Sequence, residues 1–381
     1  MSNEKPPIRP KNPCFSSGPC SKPPSFTLAA LEQAALGRSH RSTLGKSKLR
    51  SAIDETHELL EIPPDYKVAI VPASDTGAFE MAMWNLLGAR TVDALVWESF
   101  GAGWFDDCVK QLQIPTNLHR AEFGEIIDFG AVNWDHDVCF TWNGTTSGVR
   151  IPSGALIPSD RVGLTLCDAT SAAFAMRLPW DKLDVTTFSW QKVLGGEGAH
   201  GVIILSPRAI DRLMTYSPRW PLPKIFRLTK NGAVNQALFD GATINTPSML
   251  AVEDYLHCLS WAHSVGGLSG LIDRSNRNAA AVWEFCDAHN WITNLAIDPS
   301  TRSTTSVCLK FTDPAIAGQA QFSKAVTKRL EDEAIAFDIA SYRDAPAGLR
   351  IWCGATVETD DVRAMLPWIT WAYEIERDAV D

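Results

Sequence analysis

No run of about 18 apolar residues occurs anywhere in the chain, and no basic start followed by an apolar leader opens it. Neither a membrane-spanning helix nor an export signal is therefore expected. Positive charge is also scarce: 35 lysines and arginines stand against 44 aspartates and glutamates, a formal net charge of −9. That balance argues against a nucleic acid or an anionic membrane surface as partner, because both reward a basic face. The nine cysteines contain no CxxC pair and are odd in number, so reduced thiols in a cytoplasm are expected rather than a disulfide framework. His257 and His263 are six apart with no acidic partner in a recognisable motif, and no metal site is expected. Low-complexity tracts and internal repeats are missing too. With 45% hydrophobic and 21% charged residues, the composition is that of a soluble globular enzyme. Its 381 residues suggest two domains of unequal size.

What is present centres on Ser189-Trp190-Gln191-Lys192-Val193-Leu194-Gly195-Gly196-Glu197-Gly198. An apolar run over 185–190 reads as a buried strand that delivers Lys192 into a glycine-rich turn, ahead of another strand at 201–206. An ammonium group resists burial, so a lysine at the mouth of a core strand loses its charge easily unless an anion partners it. Such an amine can attack a carbonyl, and pyridoxal phosphate is the cofactor that most often exploits this. A lysine reaching from a loop into solvent is the plainer alternative, and the rest of the chain decides between them.

Seven prolines in residues 1–24 forbid a helix there. This arm is expected to lie extended across another surface, with its first dozen residues loose. A helical pattern follows over 27–36. Next come Arg38-Ser39-His40-Arg41-Ser42, either a solvated turn or an anion clamp, and a helix to about residue 61. Gly45-Lys46-Ser47 imitates the end of a P-loop, but position 40 is His rather than Gly and no strand precedes it. Nucleotide binding is discarded on that ground.

From 67 to 206 strand and helix signals alternate. A strand at 67–72 runs into Ala73-Ser74-Asp75-Thr76-Gly77 and an apolar helix. Such a turn aims backbone N–H groups and a helix dipole at one point, suited to an anion. A strand at 93–98 ends near Trp104, and one at 136–142 runs into Asn143-Gly144-Thr145-Thr146-Ser147-Gly148. Another at 163–167 stops at Asp168. Alternation of this kind implies a mostly parallel sheet covered on both faces, with one crevice along the carboxyl ends of its strands. Ser74, Trp104, Thr145, Asp168 and Lys192 all follow strands at those ends. Together they offer what pyridoxal phosphate needs: an amine, phosphate donors, a flat ring to stack on and an anion for the ring nitrogen. The remainder reads as helices near 250–265 and 270–288, strands at 306–311, 336–341 and 349–353, and helices at 315–333 and 359–377.

These residues carry a resemblance over nearly the whole chain. The sequence resembles the phosphoserine aminotransferase family, in the class V, fold type I group, most specifically in Ser39-His40-Arg41-Ser42, Ser189-Trp190-Gln191-Lys192 and Asn245-Thr246-Pro247-Ser248. The resemblance implies an α/β fold: an arm at 1–24, a large domain at 25–255 with a mostly parallel seven-stranded sheet, and a smaller α+β domain at 256–381. It implies Lys192 as the Schiff-base lysine and Gln191 on the cofactor phosphate. Trp104 would stack on the ring, Asp168 would pair with its nitrogen and Thr145 would bond its 3-oxygen. Ser74, Asp75 and Thr76 fall in the family's phosphate turn. Asn245 and Thr246 match a pair that crosses to the neighbour's cofactor phosphate in a homodimer with shared sites.

For substrates, His40 and Arg41 match a pair that the partner subunit offers to the phosphate of phosphoserine or the distal carboxylate of glutamate. Arg350 matches the α-carboxylate ligand and Arg343 a second distal-anion ligand. Tyr342 precedes Arg343 where some members have histidine, and Asp75-Thr76 stand where some carry an arginine. The implied reaction moves an amino group between phosphoserine and 2-oxoglutarate, giving 3-phosphooxypyruvate and glutamate, in serine and also pyridoxine biosynthesis. The alternative is transamination between alanine or serine and glyoxylate, which would not need His40 and Arg41.

Overall fold

The computed structural model describes residues 4–379. Seven strands form the main sheet: β1 (Lys67–Pro72), β2 (Val92–Val96), β3 (Thr116–Arg120), β4 (Asp137–Thr141), β5 (Thr165–Asp168), β6 (Val185–Ser189) and β7 (His200–Leu205). Their spatial order is β1-β7-β6-β5-β4-β2-β3. The pairs from β3 across to β6 are parallel, and β7 runs antiparallel to both β6 and β1.

Burial on both faces explains the lack of a polar stripe in β1 and β7. Along β1, Val68 and Ile70 join one core cluster while Ala69 and Val71 join the other; β7 divides Val202 and Ile204 from Ile203 and Leu205 in the same way. Successive side chains of a strand point to opposite faces, so an unbroken apolar run feeds two cores at once.

Helices α1 (Thr43–Leu59), α2 (Ser74–Leu86), α3 (Ser99–Asp106), α4 (Pro207–Thr215) and α5 (Met249–Ser264) accompany the sheet. Their starts follow capping chemistry. Ser42 accepts from the Gly45 N–H, Ser206 from Ala209 and Ser248 from Ala251, each satisfying one of the free donors of a first turn. Beyond α5, the long α6 (Gly267–Asp287) leads to the antiparallel strands β8 (Ile292–Asn294), β9 (Ser306–Phe311) and β10 (Leu349–Trp352). Helices α7 (Gln319–Asp332) and α8 (Thr359–Asp378) pack with α6 around them.

Three expectations change. No helix forms over 27–36; only a short 3₁₀ turn at Leu28–Leu31 does, with no side-chain cap and no buried residue to hold it. No continuous strand forms over 336–341. Asp338 sits at φ 58°, in the left-handed region, and leaves isolated bridges of Phe337 to Cys14 and of Ala340 to Leu349 on either side of it.

The third concerns the arm. Its first three residues lie outside the described residues, but residues 4–12 are tied down rather than loose. Arg9 donates to the Glu333 carbonyl at 2.5 Å, the Lys11 N–H to Asp361 Oδ1 at 2.6 Å, and Trp368 Nε1 to the Ile8 carbonyl at 2.7 Å. Further along, Trp352 N–H donates to Phe15 O at 3.1 Å and Cys20 N–H to Gln191 O at 2.9 Å. The arm thus runs from α8, past β10, onto the lysine turn.

Candidate active site

Five strands of the main sheet end at the same place. Strand β1 leads to the turn before α2, β2 to the turn before α3, β4 to the 143–150 hairpin, β5 to Asp168 and β6 to Lys192. Between these ends lies a cavity of about 230 Å³. It brings together Ser74, Asp75, Thr76, Trp104, Thr145, Asp168, Gln191 and Lys192. Eight expected residues, spread over more than a hundred positions of sequence, therefore share one wall.

Lys192 Nζ donates to the Ser17 carbonyl on the arm. Burial lowers its pKa, and the nearby positive charge of Arg350 adds to the effect against Cys20, Asp168 and Asp75, which raise it. The amine is therefore more readily neutral than that of a solvated lysine. Gly18 is required beside it: a Cβ there would stand 2.4 Å from Lys192 Nζ, and its φ of 144° suits glycine alone.

Asp168 is buried at the end of β5. Its Oδ2 accepts from Trp104 Nε1 at 3.2 Å and its Oδ1 from the Thr170 N–H at 2.9 Å. Trp104 is set by α3 and packs on Phe79 with centroids 4.5 Å apart. Thr145 shares a hydrogen bond with the Ser171 hydroxyl, and its carbonyl accepts from Ser306 Oγ at 2.6 Å. The turn before α2 is built on consecutive left-handed residues, Ala73 at φ 67° and Ser74 at φ 54°.

Asp75 differs from what a phosphate turn would ask of its side chain. The carboxyl is buried close to Asp168, and burial first, the Asp168 charge second, push its pKa well above the usual carboxylate range. The backbone of this turn and the Ser74 and Thr76 hydroxyls, rather than the Asp75 carboxylate, suit an anion.

The chain's own cavity lacks six of the expected residues. His40 and Arg41 lie in the turn before α1, and Asn245 and Thr246 are exposed in the segment leading to α5. Arg343 is exposed, with its guanidinium 5.3 Å from the Tyr342 ring. Arg350 stands between these groups. It lies on β10, over the same Tyr342 ring at 5.5 Å, and its charge reaches Lys192.

Glu98 also lines the cavity and was not singled out from the sequence. It is 3% exposed, caps α3 by accepting from the Gly101 N–H at 2.6 Å, and accepts from Thr146 Oγ1 at 3.0 Å. Burial raises its pKa to about 7. An acidic residue at a strand end, just before a helix, is a readable cap signal.

The wall also fits a polar ligand. Thr141 Oγ1, Asn143 Oδ1, Thr170 Oγ1, Ser189 Oγ and Gln191 Oε1 all belong to it, and all are buried with no hydrogen-bond partner. Buried polar groups are normally paired, so such a concentration marks a place for a partner. With an amine, a carboxylate, an indole ring and a helix N-terminus around them, the donors and acceptors match pyridoxal phosphate. No group of three or more His, Cys, Asp or Glu among the described residues could hold a metal ion. No helix among them is long and apolar enough to cross a membrane.

Comparison with known proteins agrees with this geometry. The chain is 57% identical over 374 residues to the phosphoserine aminotransferase of Methanosarcina barkeri, covering 97% of this chain and 99% of that protein. It belongs to the phosphoserine aminotransferase family. The family's Methanosarcina mazei member is likewise 57% identical over 372 residues, covering 97% of this chain and 99% of that protein. No family model matches the chain. Among solved structures, the phosphoserine aminotransferase of Cytophaga hutchinsonii superposes with a TM-score of 0.81 at 22% identity, covering 93% of this chain and 97% of that one. The likeness is one of fold, and the fold is that of the fold type I aminotransferases.

Proposed function

We propose that this member of the phosphoserine aminotransferase family transfers an amino group between O-phospho-L-serine and 2-oxoglutarate, with pyridoxal 5'-phosphate as cofactor. The products are 3-phosphooxypyruvate and glutamate, which places the enzyme in serine biosynthesis. The observation that carries the reading is the joint presence of Lys192, Asp168 and Trp104 in one cavity, in a chain so close to curated phosphoserine aminotransferases.

When bound, pyridoxal phosphate supplies an aldehyde and a ring that takes up the electron pair left at the substrate's α-carbon. The chain's residues do the rest. Lys192 would hold the cofactor, and its Nζ would take the substrate's α-proton as general base and deliver a proton to a different carbon as general acid; its lowered pKa favours the neutral form that proton removal needs. Asp168, anchored by Trp104 Nε1 and the Thr170 N–H, would be the carboxyl partner of the ring nitrogen. Trp104 offers its face to the ring and Thr145 its hydroxyl to the ring oxygen. The backbone at Ser74, Asp75 and Thr76, the α2 dipole and the Gln191 amide receive the phosphate. Arg350 takes the α-carboxylate, in the planar two-point fashion that suits a guanidinium.

His40, Arg41, Asn245 and Thr246 act from a second copy. They stand outside the chain's own cavity, and a homodimer in which each subunit lends them to its neighbour gives them a place. His40 and Arg41 then grip the distal phosphate or carboxylate, with Arg343 beside them. The chain divides into the arm at 1–24, a large domain at 25–255 and a small domain at 256–381, with the substrate between the last two. A cytoplasmic location suits the nine free thiols.

The test is amino transfer in a single half-reaction, read from the cofactor's absorbance. Arg41→Ala is expected to lower phosphoserine turnover by about 100-fold or more, the loss of one charge-assisted contact, and to leave alanine turnover nearly unchanged. Unchanged turnover of both amino acids would favour transamination of alanine or serine with glyoxylate.

A further inference from the structure

In an acidic chain a cationic side chain ordinarily finds a carboxylate, and Arg150 does not. It closes the 143–150 hairpin, half-buried, and its Nε donates to the Arg302 carbonyl at 2.9 Å. Among the described residues no aspartate or glutamate pairs with it, and burial alone acts on its pKa, lowering it. An arginine stays charged in a protein. A guanidinium withdrawn from water without an anion is therefore left uncompensated.

Arg150 lines a cavity of about 440 Å³ between the hairpin, residues 175–179, α6 and the chain leading to β9. No acidic residue lines it. The other cation in the wall, Arg177, is exposed and engaged with Glu61 and Ser269. Thr304 also lines the cavity; it is 7% exposed and its hydroxyl is buried with no partner. Trp142, Ile151, Met176 and Ile272 give the remaining wall an apolar character.

The catalytic cavity shares no lining residue with this one. The two are nevertheless close. Trp142 lies between Thr141 and Asn143 of the catalytic wall, and Thr304 precedes Thr305, whose hydroxyl donates to the Ser171 carbonyl at 2.8 Å.

We propose that this cavity is a second site, distinct from the catalytic one, for a small carboxylate with an apolar body. With Nε committed to Arg302, the two terminal nitrogens of Arg150 remain for an end-on, two-point pairing with a carboxylate. The Thr304 hydroxyl donates a further hydrogen bond, and the Trp142, Ile151, Met176 and Ile272 wall covers the apolar part. Inorganic phosphate would use the charge but not that wall. The proposal stands apart from the amino-transfer reading and does not need it.

The experiment is fluorine NMR of 4-fluorophenylacetate with the cofactor-loaded protein. The probe's signal is expected to broaden, and to do so equally with Arg350→Met, which removes the carboxylate ligand of the catalytic cavity. Arg150→Met is expected to weaken binding at least about tenfold, the loss of a charge-assisted pair. The neutral 4-fluorophenylacetamide should leave the protein without broadening. Thr304→Val gives a second arm: it removes an unpartnered hydroxyl, so the thermal midpoint of the probe-free protein should hold or rise while the probe binds more weakly. Broadening that survives Arg150→Met, vanishes with Arg350→Met, or is as strong with the amide overturns the proposal. Should Arg150→Met fail to fold, unchanged probe binding by Thr304→Val overturns it as well.

Discussion

Glu98 shows how much a single carboxyl contributes to the site without facing the reaction. It holds the first turn of α3, the helix that carries Trp104, and through Thr146 it fixes the residue beside Thr145. Its pKa lies at about 7 against a usual 4.5, so between these values the folded chain keeps a proton that the unfolded chain has lost. Stability assigned to this group is therefore full below about 4.5 and falls as pH rises toward 7. Glu98→Gln imitates the protonated form and should flatten that fall. Glu98→Ala should cost about 1–2 kcal/mol through the lost cap and weaken cofactor binding. Denaturant titrations of the parent and both variants at pH 5 and pH 8 check the sign. The sequence made Lys192, Asp168, Trp104 and Thr145 readable because each follows a strand. At Glu98 the cap was legible, but the bond to Thr146, 48 residues away in sequence, was not.

At the scale of elements, strands buried on both faces were the legible ones: unbroken apolar runs ending in polar turns located β1, β4, β5 and β6 within a residue or two. The turn before α2 reads as a turn suited to an anion, but its backbone could not be foreseen. Ala73 and Ser74 are both left-handed, a conformation that nothing in their side chains announces. Gly77 is the price of it, since a Cβ there would come within 2.2 Å of the Pro72 carbonyl. Gly77→Ala should destabilise the protein by more than about 1 kcal/mol, because backbone rather than a flexible side chain must yield. It should also weaken cofactor binding many-fold, which equilibrium titration with pyridoxal phosphate measures. A conservative-looking variant with parental cofactor affinity would show that this turn does not hold the phosphate. The segments at 27–36 and 336–341 misled for the opposite reason. Helical or strand-like patterns were present there, but the Leu28–Leu31 turn buries no side chain of its own, and Asp338 broke the second.

For the whole molecule, the sequence located two groups that the chain's own fold keeps apart: a catalytic cavity and the residues His40, Arg41, Asn245 and Thr246. The proposed homodimer, with each subunit lending these residues to its neighbour, would account for that separation. Two damaged subunits then make a distinctive prediction. Lys192→Ala and Arg41→Ala, each inactive toward phosphoserine as a homodimer, should regain activity on mixing and refolding, because one site of each hybrid dimer has both residues intact. Random pairing makes half the dimers hybrid, so activity should approach about one quarter of the parent's. No recovery, in a mixture shown to contain hybrid dimers, would mean that Arg41 serves its own subunit or none.

The arm adds a second whole-molecule feature that composition alone half disclosed. Proline content predicted an extended course, but not that it ties α8 and β10 to the Lys192 turn. The centre of the account remains Lys192, and one measurement addresses it directly. Borohydride reduction of the purified, cofactor-loaded protein, followed by peptide mass mapping, should place the reduced pyridoxyl group on Lys192, and Lys192→Ala should carry none. A pyridoxyl group on another lysine, or on no lysine in a protein that binds the cofactor, would contradict it.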